Sequence, residues 1–223
     1  MNEPLATPLW RRPTTLLVGL ILLLTLLAWS NRFIQDDAFI SFRYAEHLAE
    51  GKGPVYNEGE RVEGYTNFLW TMLIAGGRCL GLEPIALSYG LGLTCFVLSL
   101  VFTYRLACQV FGDGTAGLLA VFLLGTNYTF SAYATGGLET QLQAFLCVAI
   151  ASMVFQIATV PAPTRVSLVA LSLLIAAALL TRLDSAVYLF VLLPVVFFPL
   201  LWQRDVPIGE KGRRMACLCL APL

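Results

Sequence analysis

TTLLVGLILLLTLLAWSNRFIQDDAFISFRYAEHLAEGKG, residues 14–53, decides the architecture. Its first half, Thr14 to Trp29, is an apolar run behind Arg11 and Arg12. A helix needs about 17–25 such residues to cross the hydrocarbon layer. The paired arginines are the flank of a signal anchor. Ala28-Trp29-Ser30 faintly resembles a signal-peptidase site, but the long apolar core predicts retention as a first transmembrane helix. In the second half, Asp36 and Asp37 precede Ala38 to Glu50, where Ile40, Tyr44 and Leu48 recur every fourth position and Arg43, Glu46 and Glu50 form another stripe. That pattern predicts an amphipathic helix along an interface, ended by Gly51.

The rest of the chain repeats the apolar theme. Hydrophobic residues make up 58% of the 223 positions and charged residues 13%, which marks an integral membrane protein. The expected fold class is all-α, a polytopic membrane helical bundle with spans at 14–30, 84–106, 115–134, 138–159, 166–182 and 185–202, and a further start at 215. The net charge is zero, so no basic excess points to nucleic acid. The six cysteines lack zinc-site spacing and read as packing residues.

Tyr65 to Leu82 carries Gly76, Gly77 and Arg78 in its second half and is read as a juxtamembrane helix that does not fully cross. Residues 31–83 then form one large extracytoplasmic loop. Arg11, Arg12, Arg105, Arg165, Arg204, Lys211, Arg213 and Arg214 fall on the opposite, cytoplasmic side with the amino terminus, as the positive-inside rule requires. Asp36, Asp37, Glu63, Glu139 and Asp184 all meet at the outer surface.

Each acid has a bland reading beside a functional one. An aspartate before a helix caps it, but one cap needs one carboxylate. Glu139, after Gly136-Gly137, opens a helix where the dipole favours an anion. Arg182 and Asp184 in TRLDSA pair as interfacial anchors or bind a ligand. His47 falls on the polar side of the amphipathic helix and reads as solvated. No nucleotide fingerprint, phosphate-cradling glycine loop or Ser-His-Asp set is present.

The order of a membrane helix, an Asp-Asp pair, FRYAEHLAEGKG, VEGYTNFLW, GLET and TRLD resembles the amino-terminal half of the GT-C superfamily of polytopic glycosyltransferases, and within it the arabinofuranosyltransferases that add terminal arabinose in mycobacterial cell walls. The resemblance implies a bacterial inner-membrane, multi-pass enzyme. It would move a sugar from a polyprenyl-phosphate donor to a glycan, lipid or protein acceptor. It assigns Asp36 as general base with Asp37 as its neighbour, and places Glu63 and Glu139 near the cavity. Arg61, Tyr65, Arg182 and Asp184 complete the expected substrate-binding set, the two arginines facing the lipid phosphate. Superfamily members are usually longer, so these residues are expected to be the amino-terminal part of a larger protein, inactive in transfer by themselves. No particular cofactor is implied, and a divalent cation held by the paired aspartates stays open. A transporter and a non-catalytic membrane scaffold on the same fold stay open as alternatives. The transporter is disfavoured because the acids gather at one surface rather than the midplane.

Overall fold

The computed structural model describes residues 13–60, 62, 64–159 and 164–202, with side chains placed from residue 14 to residue 194 of these. Arg61 and Glu63, the basic segment 203–214 and the apolar start at 215 lie outside them. The described chain is all-helical. In order it forms α1 (Pro13–Ser30), α2 (Ala38–Ala49), α3 (Phe68–Cys79), α4 (Pro84–Phe111), α5 (Gly114–Gly125), α6 (Tyr128–Ala132), a 3-10 turn (Tyr133–Thr135), α7 (Thr140–Thr159), α8 (Arg165–Thr181) and α9 (Ser185–Trp202). By length and composition α4 and α7 can each cross a membrane.

Local chemistry sets the boundaries. Pro84 sits in the first turn of α4 and Glu83 caps it, its Oε2 accepting from the amide of Ala86 at 2.7 Å. Gly112 closes that helix at φ +68°, a left-handed position that suits glycine. Asp113 then caps α5 through Thr115 and Ala116. The apolar run 115–134, expected as a single span, is bent by 74° at the break after α5. Asn127 restarts the helix there, its side chain accepting from the amide of Phe130.

α4 and α7 pack together at the centre. One core joins Leu24 and Ala28 of α1 to Phe96 and Leu100 of α4 and Val121 of α5. The other joins Phe42 and Ala45 of α2, Trp70 and Ile74 of α3, Leu146 and Ile150 of α7, and Leu171 of α8. The two short helices of the first loop are therefore welded onto the bundle. α3 has 12 residues, about 18 Å of helix, against about 30 Å of hydrocarbon.

α2 is amphipathic, but its buried face is rotated from the expected stripe. Ala38, Ser41, Phe42 and Ala45 are buried together with Tyr44, whereas Ile40 is exposed. His47 is also buried rather than solvated: its Nδ1 lies 2.8 Å from the carbonyl oxygen of Val55. The loop after α2 folds back over this side, and burial beneath it overrides the polar stripe.

Candidate active site

Asp36 and Asp37 occupy the turn into α2, and neither side chain caps the helix. The backbone does that work: Ala38, Phe39 and Ile40 donate to the carbonyls of Gln35, Asp36 and Asp37 at 3.0, 3.1 and 3.2 Å. Asp37 itself is already helical, at φ −61° and ψ −22°, and its side chain makes no cap hydrogen bond. Both carboxylates are exposed, and neither forms a hydrogen bond or ion pair among the described residues.

The turn is suspended from the segment that precedes α7. The amide of Phe33 donates to Thr135 Oγ1 at 3.3 Å, and that of Gln35 to the carbonyl of Gly136 at 3.1 Å. Gly137 adopts φ +82°, and a Cβ there would collide with Ile34 and meet Ala38 Cβ at 2.8 Å. Its carbonyl also accepts from Trp70 Nε1 of α3 at 3.0 Å. One diglycine thus fixes α2, α3 and the start of α7 relative to each other. It brings Asp36 and Asp37 to the same end of the bundle as Glu139.

Glu139 is 4% exposed and fully engaged. Its Oε1 accepts from Arg182 Nη1 at 2.9 Å and its Oε2 from Asn67 Nδ2 at 2.8 Å. Arg182 turns its other edge to Asp184, 2.9 Å from Nη2. That guanidinium holds the Asp184 carboxylate below its usual range. Asn67 is the hub on the other side, its Oδ1 accepting from Ser41 at 3.3 Å and from Thr71 at 3.1 Å. The chain α2–α3–α7–α8 is therefore tied by Ser41, Asn67, Glu139 and Arg182. A buried carboxylate already accepting on both oxygens anchors its neighbours.

The candidate set thus divides. Asp36 and Asp37 are free; Glu139, Arg182 and Asp184 form one ion cluster. Tyr65 stands over Tyr44, ring centroids 4.8 Å apart, while the Tyr44 hydroxyl donates to the carbonyl of Val62 at 2.9 Å. Arg61 and Glu63 flank that carbonyl in sequence and lie outside the described residues. Sequence reasoning missed Asn67, Ser41 and Thr71. Asn67 stands where an N-cap would, directly before α3, and that position concealed its role, because its side chain makes no cap hydrogen bond. Among the described residues no group of three or more His, Cys, Asp or Glu side chains converges on a metal position. The adjacent aspartates alone do not specify a cation.

Over 124 residues the chain is 32% identical to a terminal beta-(1->2)-arabinofuranosyltransferase of Mycobacterium tuberculosis, a match covering 52% of this chain and 20% of that protein. The chain is similar to terminal arabinofuranosyltransferases. A second of that name, from Corynebacterium glutamicum, is 37% identical over 122 residues, covering 50% of this chain and 17% of its own length. The matched part is thus about a fifth of either arabinofuranosyltransferase. No family model and no solved structure matches the chain.

Proposed function

We propose that this chain carries the base-bearing part of a membrane arabinofuranosyltransferase, with Asp36 as general base. The observation that supports it is the pair of uncommitted carboxylates at a turn held by Gly136 and Gly137. A cap or an ion pair would have explained them, and neither is present among the described residues. The names of the two relatives supply the sugar.

The donor is a polyprenyl-phosphate arabinofuranose and the acceptor a hydroxyl of a cell-envelope glycan. Asp36 takes the acceptor proton as its oxygen attacks the anomeric carbon. The bond from that carbon to the phosphate oxygen breaks, and its electron pair leaves with the phosphate. A phosphate leaving group needs no protonation, so a single carboxylate suffices. One displacement inverts the anomeric centre. Asp37 supports Asp36 and shares the proton. Arg182 spends Nε and one N–H on each terminal nitrogen on Asp184 and Glu139. A guanidinium has five N–H donors, so two remain for the phosphate. Glu139 and Asn67 hold that arginine in position. Tyr65 borders the sugar.

The reading also sets an orientation. α3 is too short to cross, which keeps residues 31–83 on one side and supports an extracytoplasmic site with a cytoplasmic amino terminus in the bacterial plasma membrane. The reaction is tested by giving membranes that express the longest native form of the protein a polyprenyl-phosphate arabinofuranose of known anomeric configuration and an arabinofuranosyl oligosaccharide. The product should carry one new arabinose of inverted configuration. Retention, or release of free arabinose alone, overturns the single-displacement mechanism.

A further inference from the structure

On α2, Phe39, Phe42, Arg43 and Glu46 recur at intervals of three and four and so share one helical face. With Tyr56 from the following loop and Glu83, Pro84 and Ile85 at the start of α4, they line an open cleft of about 310 Å³. Phe39 and Tyr56 show 48% and 45% of their surface. The charged groups keep hydrogen-bonding capacity. Arg43 forms no ion pair or hydrogen bond among the described residues. Glu46 has only a distant contact with Arg78, at 3.9 Å. Glu83 uses Oε2 on the amide of Ala86.

We propose that this cleft is the acceptor subsite and that it takes a neutral sugar residue of the acceptor glycan. The proposal rests on the transferase reading and gives its glycan acceptor a place on the chain. Aromatic faces at the rim suit the C–H face of a sugar ring, and carboxylate and guanidinium edges suit vicinal hydroxyls. An acyl chain would desolvate three charged groups without offering them a partner. An anionic ligand would face two carboxylates against one guanidinium. Position agrees with chemistry. The amide of Phe39 donates to the carbonyl of Asp36 at 3.1 Å, so Asp36 precedes the cleft by three residues, about 4.5 Å along a helical axis. A sugar held by Phe39, Arg43 and Tyr56 would turn its outer hydroxyl toward that carboxylate.

The test is saturation-transfer NMR on the detergent-solubilised protein with the methyl glycoside of an arabinofuranosyl disaccharide, and dodecylphosphocholine as the lipid-like competitor. Wild type should bind the disaccharide. Arg43→Ala and Tyr56→Ala should each weaken it by roughly tenfold, the cost of losing one charge-assisted or stacking contact, and Tyr56→Phe should restore most of the loss. Both side chains are at the surface, and circular dichroism checks that the helices persist. Unchanged binding in both alanine variants, no binding to wild type, or displacement by dodecylphosphocholine at equal concentration overturns the assignment. A transfer assay on the longest native form of the protein, run in parallel, separates the two readings. Arabinose transfer with an unaltered acceptor KM in Arg43→Ala sinks the subsite alone. Disaccharide binding that depends on both residues, without transfer, keeps the subsite and sinks the transferase.

Discussion

Glu139 and Arg182, 43 residues apart in sequence, meet at 2.9 Å between Oε1 and Nη1, with the carboxylate buried and the guanidinium half-exposed. The pair closes α7 against α8, and through Asn67 it reaches α3 and α2. Because Glu139 is the buried member, removing either of its donors strands a charge in a poorly solvated place, which is the expensive way to break such a pair.

Asn67→Ala should therefore destabilise the folded protein by about 1–3 kcal/mol, the cost of an unsatisfied buried acceptor. Asn67→Asp should cost more, since it sets a second carboxylate against Glu139. Thermal unfolding in detergent, followed by circular dichroism, gives both values. An unchanged melting temperature for Asn67→Asp would mean that Glu139 is not held as described.

Gly137→Ala should cost about 1–3 kcal/mol through its left-handed backbone and its contact with Ile34 and Ala38. It should also lower transfer activity by shifting the turn that carries Asp36. Gly76→Ala is the matched control, because a Cβ there meets nothing within 4 Å. In α3 it should be neutral or stabilising by up to about 1 kcal/mol. Equal effects of the two changes would contradict the clamp.

Lys52 bridges Glu50 at 2.9 Å and Glu58 at 2.6 Å. Its hydrogen bonds hold both carboxylates below their ordinary 4.5 and raise the lysine above 10.5. The sign follows for each group. The carboxylates' contribution is present above 4.5 and lost as pH falls through their lowered values. The lysine's is present below 10.5 and lost as pH rises through its raised one. All three are solvent-exposed, so the effect on global stability is small. An NMR titration of the Glu58 carboxyl should show a midpoint below 4.5 that returns to the ordinary range in Lys52→Ala. No change would remove the bridge from the account.

Much of the helical framework was legible because helices announce their ends locally. Pro84 after Glu83, and the apolar runs, are such signals. The 74° bend after α5 was written in Thr126-Asn127 but masked by the hydrophobicity on both sides. His47 was misread because periodicity assigns faces to an isolated helix and cannot see a loop folding over it. The site was legible in parts. Asp36 and Asp37 were visible as a pair, yet a cap and a free carboxylate have the same local sequence; only the carbonyls of 35–37 taking the first amides distinguish them. Arg182 with Asp184 could be paired by proximity in sequence. Arg182 with Glu139, and Asn67 with both its helices, depend on tertiary placement that no spacing reveals.

Orientation is testable by accessibility labelling in a cysteine-free background. Glu58→Cys should react with an impermeant maleimide in intact cells, and Arg165→Cys only after permeabilisation, as follows if α3 does not cross. Both are exposed positions. Labelling of both from the same side would mean that 65–82 spans, and the acids would no longer share one surface.

The most direct measurement is arabinose transfer by Asp36→Asn in the longest native form of the protein, beside Asp37→Asn. Neither carboxylate caps the helix or holds an ion pair among the described residues, so the substitution removes the proton acceptor and little else. With Asp36 as the base, Asp36→Asn should insert and unfold like wild type while transfer falls by about a hundredfold or more, and Asp37→Asn should show a partial defect. Near-normal transfer by Asp36→Asn would contradict the assignment and leave Asp36 without a catalytic role.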